Sequence, residues 1–559
     1  MLGSFTQVAA DAAATFERDI NSFYLQDEWQ VNNAVTLVVG LRYDQYKSSD
    51  NPVANPVFEQ RYGFSNSQTF DGLELVQPRL GLTWNLPTSN WGSTQLNAGF
   101  GIFGGGDPTV HFANAYQNFG GAIGFGASFI PPCAAADLQV TDGTGQFTGL
   151  PSCVPQAAAD SANANTGSVA AVDPNFDLPS NQRWSLGIHH VTASDIGFLD
   201  RWTIQADFIY TDHKDAVDWV ALRLSPNGVT LPDGRPQFFE VDPLQPGCNA
   251  TFNGLRQGFS NAGTNGGPCD DTGNSNQDIL MTNGVEGSTT SVSVQFAKDF
   301  EISDRTSINV GLGYAYLDAE VGNPVNSSTA GSSYEEVATA VLNDIRLGPA
   351  LWANEHNIVL RATFRHEWSD GYPFSVGMFF QRRSGRPFSY TYEDDTVEGL
   401  FGDTDDEERV LLYVPTGPGD PLMDFSQLSQ QEMDDFFAFL ASSGLNAFAG
   451  GIAPKNGFNS PWSSDLDIRI QQDFPLPWGD QEHTLQVFFD IENALNLFSD
   501  TRNVKRYADT GDIEEGVRVL QLDRSNTSQY EVESFFDEGQ NRDVDDSVYR
   551  IQLGFRYRF

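Results

Sequence analysis

Apolar and polar residues alternate one by one over segments of about ten residues along most of the chain. At the C-terminal end Tyr549, Ile551, Leu553, Phe555, Tyr557 and Phe559 alternate with Arg550, Gln552, Gly554, Arg556 and Arg558. A period of two places the first set on one face of a strand and the second on the other. The same rhythm runs through Val35–Tyr43, Leu80–Leu86, Trp184–Ile188, Trp202–Tyr210, Ile308–Tyr316, Leu466–Ile470 and Leu485–Ile491. Roughly fourteen to sixteen such segments are predicted, each as long as a tilted membrane strand must be. Strands of soluble sandwiches are shorter, about five or six residues. Aromatics cluster near the segment ends, at Tyr43, Trp84, Trp202, Tyr210, Trp368 and Tyr557, as the girdles of a membrane barrel do. The opposite face is Gly, Ser, Thr, Gln and Arg, which suits a wet lumen. The expected fold class is all-β, a transmembrane antiparallel outer-membrane β-barrel.

The connections alternate in length. Val31–Ala34 and Ser369–Gly371 are short, whereas 105–180, 225–283, 321–353 and 393–463 are long. Short turns on one side and long loops on the other is the layout in which the long loops face the cell exterior. Within Gln427–Gly451, the spacing of Met433, Phe436, Phe437 and Leu440 predicts one amphipathic helix, with its apolar face on the barrel rim. Cysteines fall in two pairs inside long loops, Cys133 with Cys153 and Cys248 with Cys269. No C-x-x-C spacing favours a metal site, and two loop disulfides in an oxidising exterior are expected.

Composition narrows the reading. The 559 residues carry 31 Lys+Arg against 74 Asp+Glu, a formal charge of −43. So negative a field argues against a nucleic-acid partner. Aromatic content of 12% is too high for a disordered acidic tail. No H-E-x-x-H, G-x-S-x-G or Walker spacing occurs, so no enzyme and no organic cofactor is expected. His189 and His190 fall on opposite strand faces, lumen-lining and interfacial respectively. Two acidic clusters offer hard oxygen ligands of the kind Ca²⁺ takes. One is Asp270, Asp271, Asn274, Asn276 and Asp278; the other is Asp403, Asp405, Asp406, Glu407 and Glu408. Neither has EF-hand spacing, and solvated loop charge is the simpler account. The start, residues 1–19, lacks a basic-then-apolar signal sequence and is read as a poorly structured fragment start, with the barrel at 20–559.

Several segments in order carry a family resemblance. They are Ser22–Asp44 (SFYLQDEWQVNNAVTLVVGLRYD), Pro78–Leu86 (PRLGLTWNL), Asn97–Phe103 (NAGFGIF), Gly450–Phe474 (GGIAPKNGFNSPWSSDLDIRIQQDF) and Leu553–Phe559 (LGFRYRF). The chain resembles the barrel of TonB-dependent outer-membrane receptors of the Oar-like branch. Lys455 and Asn459 stand where that family's pattern has arginines. The resemblance implies a partial barrel, since family barrels have twenty-two strands and carry a plug domain ahead of them. It implies the outer membrane of a Gram-negative cell, with lipid around the wall. It implies an unidentified extracellular ligand moved with energy from the TonB complex acting through the missing plug. Arg42, Arg79, Arg183, Arg361, Arg469, Arg550, Arg556 and Arg558 would face that plug across the lumen. Phe555, Tyr557 and Phe559 are similar to the signal read by the barrel-assembly machinery. The competing expectations are a passive outer-membrane pore or surface-binding barrel, and a soluble β-rich lectin or enzyme.

Overall fold

The computed structural model describes residues 14–120, 144, 146, 167–271, 277–402, 409–476, 483–498, 503–508, 516–523, 526–537 and 540–559. Thirteen long strands follow one another in a single antiparallel path. They are β1 (Asp19–Asn32), β2 (Val35–Lys47), β3 (Glu74–Asn85), β4 (Gly92–Gly104), β5 (Ser180–Thr192), β6 (Thr203–Lys214) and β7 (Ser288–Ser303). The path continues through β8 (Thr306–Val321), β9 (His356–Glu367), β10 (Pro373–Arg383), β11 (Ser463–Leu476), β12 (His483–Glu492) and β13 (Arg550–Arg558). Gly348–Pro349 joins β8 at the side, making a 14-stranded sheet.

Register converts the sequence alternation into two faces. One transverse row reads Leu82, Ala98, Leu186, Phe208, Val292 and Tyr316. A row on the other face reads Arg79, Gly101, Arg183, Thr211 and Thr289. Leu80, Trp84, Leu186, Phe208, Phe296 and Leu312 are exposed, an apolar belt with no protein over it. A belt this wide requires an apolar solvent.

Connections at one end are short and those at the other are long. The long set is 48–73, 105–179, 215–287, 322–355, 384–462 and 493–549, two more than the sequence pattern showed. These loops fold together into a cap. One hydrophobic cluster draws on all six, through Phe70, Phe112, Trp219, Tyr334, Tyr392, Leu400, Phe436, Val519 and Tyr530. The buried apolar core thus lies in the cap, whereas the wall turns its apolar side chains outward.

Two girdles bound the belt. At the short-turn end Phe198, Trp202 and Phe300 meet, and Trp368 touches His366 and Phe374. At the cap end Trp184 packs between Phe100 and Tyr210, and His356 between Tyr314, Tyr316 and Trp462. Lys298 enters the short-turn girdle on the apolar face. Its Nζ donates to the carbonyls of Gly197 and Phe198 at 2.7 and 2.8 Å and sits over the Phe300 ring at 4.8 Å. Carbonyls and ring faces together replace water around that ammonium.

Two expectations change. Residues 1–13 lie outside the described residues, but the rest of the start is ordered: Phe16 stacks on Tyr116 at 4.4 Å and Arg18 pairs with Asp107. The loop helix forms at Gln430–Ser443 with a capping box between Ser429 and Glu432. It does not lie on the barrel rim. Phe436 and Leu440 are fully buried, and Phe436 packs on Phe425 and Phe535 of neighbouring cap segments. Aromatic partners from two further loop stretches were closer than the wall.

Candidate functional site

The cap is held together by a few buried cations that reach from one loop to another. Arg61 and Tyr62 end the short helix Pro56–Tyr62. Arg61 donates to Asp242 at 3.1 Å and Tyr62 donates to Asp278 at 2.7 Å. Arg223 donates to the same Asp278 at 3.2 Å and to Asp271 at 2.6 Å. Burial, and then the Asp278 carboxylate, push the Tyr62 phenol well up. Burial opposes ionisation of Asp242, but the hydrogen bonds from Arg61 and the Leu244 amide, with the charges of Arg61 and Arg223, together outweigh it and hold the carboxyl below the usual range. Arg235 donates to the Leu411 carbonyl at 2.8 Å and lies 4.6 Å over the Phe401 ring. Asn343 and Ala221 exchange two hydrogen bonds of 2.9 Å. Lys455 donates to the carbonyls of Gly322 and Arg346, and burial pushes its ammonium down to about 8.

These contacts take in part of the first acidic cluster. Asp271 and Asp278 face Arg223, while Asp270 accepts from the Gly266 amide. The charges of Asp270, Asp271 and Asp278 are met by guanidinium and backbone groups. Asn274, Asn276 and the whole run Asp403, Asp405, Asp406, Glu407 and Glu408 lie outside the described residues. Among the described residues one acidic group does gather. Carboxylate oxygens of Glu393, Asp394 and Asp395 lie within 4.8 Å of one another. Burial, followed by the adjoining Asp394 carboxylate, pushes Glu393 up to about 8. Sequence reading passed over this triplet because it starts a loop among many other acids.

Cys248 and Cys269 form a disulfide with a Cα–Cα separation of 4.8 Å. The pair Cys133 and Cys153 lies outside the described residues.

Where the cap meets the wall there is a cavity of about 340 Å³, within the range of small-ligand sites. His111, Asn181, His213, Asn323, Val325 and Trp352 are among its lining residues. His213 has both ring nitrogens engaged, with Asn181 at 2.6 Å and Thr289 at 2.9 Å. His111 differs: its Nδ1 is buried without a hydrogen-bond partner, and its ring stands edge-on to Trp219 at 5.1 Å. Burial pushes its imidazole down, towards a neutral ring that can donate and accept. Local sequence offered no signal for this cavity, whose walls come from three loops and the strand ends beside them.

The arginines singled out in the strands share the face opposite the apolar belt. Arg42 is held by Asp44 at 2.9 Å and by Ser22 at 3.1 Å. Arg79 and Arg183 both lie over the Phe103 ring, at 4.8 and 5.7 Å. Arg361 lies against Gly311, where a Cβ would come within 2.6 Å of its Nε. Arg469 is 4.3 Å over the Phe488 ring, and any Cβ at Gly554 would clash with that ring. Glycine on this face therefore seats guanidinium groups and aromatic rings. Arg550, Arg556 and Arg558 stand opposite Glu492, Gln486 and Thr484. On the other face of β13, Tyr557 stacks on His483, with the phenol oxygen 2.7 Å from Nδ1. Phe555 and Phe559 are exposed beside it.

Residues 1–198 match the family described as "Outer membrane beta barrel domain". No curated protein matches the chain. Among solved structures the chain is similar to the outer membrane transporter YddB from Escherichia coli, at 12% identity, TM-score 0.43, over 97% of this chain and 45% of that one. It is similar to the siderophore receptor PirA from Acinetobacter baumannii, at 11% identity, TM-score 0.38, over 97% and 46%. It is also similar to the RagAB peptide transporter, at 10% identity, TM-score 0.39, over 96% and 47%. The chain spans less than half the length of these structures. The family match, the antiparallel wall, the outward apolar belt and its two aromatic girdles agree: the fold is that of an outer-membrane β-barrel, and its place is the outer membrane.

Proposed function

We propose that the chain is the barrel portion of an outer-membrane receptor that captures an extracellular ligand at its cap and passes it inward with energy from the TonB complex. The cap carries this reading. Six loops share one core, and a cavity of about 340 Å³ opens where that core meets the wall. A surface built only to anchor lipid has no use for such a buried, multi-loop structure. The sequence segments resembling TonB-dependent receptors support the energised form. The lumen-face arginines are the groups a plug domain would contact by charge and hydrogen bonds. The proposal assigns no catalytic step.

Closure of the wall is part of the proposal. Among the described residues β1 pairs only with β2 and β13 only with β12, and β1 is exposed along its whole length. Free strand edges cannot remain in hydrocarbon, where each unpaired backbone group costs several kcal/mol. Further strands pairing with both edges would complete the cylinder.

The test is conductance in planar bilayers of protein extracted from the outer membrane of its host. The receptor reading expects a current-free baseline in KCl, because a plug fills the lumen. Steady single-channel steps would establish a passive pore and overturn the TonB reading. Uptake of iron–siderophore, glycan or peptide that stops when TonB is inactivated would support the receptor and name its substrate class.

A further inference from the structure

The loop joining β10 to β11 contains a short strand, Tyr390–Tyr392, that pairs in parallel with Val517–Leu522 of the last long loop. Glu393 follows directly. Its amide donates to the Leu520 carbonyl at 3.1 Å, so the backbone is fixed where the chain turns into the single helical turn Asp394–Thr396. Thr396 Oγ1 then accepts from the Leu522 amide at 2.8 Å. Three successive carboxylates are thereby held at a junction between two loops. Their oxygens lie within 4.8 Å of one another.

Two separate observations point to a bound cation. First, the triplet converges, with the Glu393 and Asp394 side chains in hydrogen-bond contact; like charges on a solvated loop turn apart unless a proton or a cation lies between them. Second, Glu393 is only 9% exposed, and its Oε2 is buried with no hydrogen-bond partner. A buried carboxylate oxygen without a donor is a rare and costly arrangement. Asp278 Oδ1 is likewise buried without a partner, but the Asp278 charge is met by Arg61 and Arg223 through its other oxygen. Arg518 acts on Asp394 from the neighbouring strand, whereas the groups that act most on Glu393 are Asp394, Asp395 and the Thr396 amide, none of them a cation.

We propose that Glu393, Asp394 and Asp395 form a divalent-cation site, best suited to Ca²⁺, at the junction of the β10–β11 loop with the last long loop. All-oxygen ligands on loop backbone favour Ca²⁺ over softer metals. Mg²⁺ demands a tighter octahedron than three consecutive side chains provide. Three ligands from one segment, with water completing the shell, place the affinity near ~0.1–1 mM, the range of extracellular calcium modules. The site is distinct from Asp270–Asp278, whose acids are already paired.

The test uses detergent-solubilised full chain, dialysed against EDTA and titrated with CaCl₂ by calorimetry. The wild type should give one saturable heat, reversed by EDTA, and calcium should raise the thermal midpoint of the cap. In Glu393→Gln the heat should weaken at least tenfold. Asp394→Asn with Asp395→Asn, both only half-buried, should do the same and keeps the test alive if Glu393→Gln misfolds, as judged by tryptophan emission. A wild type without calcium heat would overturn the proposal. So would a heat that survives in both variants and disappears in Asp405→Asn with Asp406→Asn, which would move the site to that run.

Discussion

Asp278 is wholly buried and sits between Arg61, Arg223 and Tyr62. Removing it takes away the carboxylate that Arg61, Arg223 and Tyr62 share and leaves each arginine one carboxylate, Asp242 and Asp271, so Asp278→Ala should cost the cap about 3 kcal/mol. Chemical unfolding followed by tryptophan emission would show it; a cost below about 1 kcal/mol would mean that the network holds nothing. Sequence alone offered this acid as a candidate calcium ligand, because an acid-rich turn looks the same whether its partner is a metal or an arginine. Arg61 is 217 positions away, and no local pattern reveals it. Lys455 makes a second residue-scale prediction. Its folded pKa of about 8 lies below the ordinary 10.5, so between those values the unfolded chain binds more protons. Cap stability should therefore rise with pH across that window, by on the order of 3 kcal/mol in full. Thermal midpoints at pH 7 and 9.5 should show the rise in wild type and not in Lys455→Met. Asp218 is the neighbouring charge that opposes the shift.

At the scale of elements, the helix Gln430–Ser443 was readable because its apolar positions recur at i, i+3, i+4 and i+7, a local property. Its distant packing partner was not readable, since Phe535 belongs to the last long loop. Ser429→Ala should remove the capping hydrogen bond and cost about 1 kcal/mol, seen as faster proteolysis within the helix. The Cys248–Cys269 bridge spans 21 positions. Closing such a loop is worth about 3 kcal/mol, and a reductant should lower the cap's thermal midpoint while the wall keeps its β-sheet circular dichroism. Equal loss of both signals would show that cap and wall unfold as one unit. The Cys248–Cys269 pair was legible from its confinement to a single long loop.

Over the whole molecule, the last strand tests assembly. Deleting Phe559 should reduce insertion into the outer membrane more than Phe498→Ala does, both being exposed aromatics. Heat-modifiable gel migration would report the folded fraction, and equal yields would remove the assembly role from the C-terminal aromatic. Phe401, another loop aromatic, is no fair control: it is buried under Arg235 in the cap. The strand wall and its orientation were written in the sequence. A strand's faces alternate residue by residue, and the two solvents, lipid and water, impose opposite polarities on positions i and i+1. That signal is local and survives without knowledge of any partner. The cap, its cavity and the Glu393 triplet were decided only by tertiary structure. Loops carry no period, and their contacts join segments hundreds of positions apart. The net charge of −43 belongs to both accounts. Composition announced an acidic surface, but folding determined which acids meet arginine and which three converge.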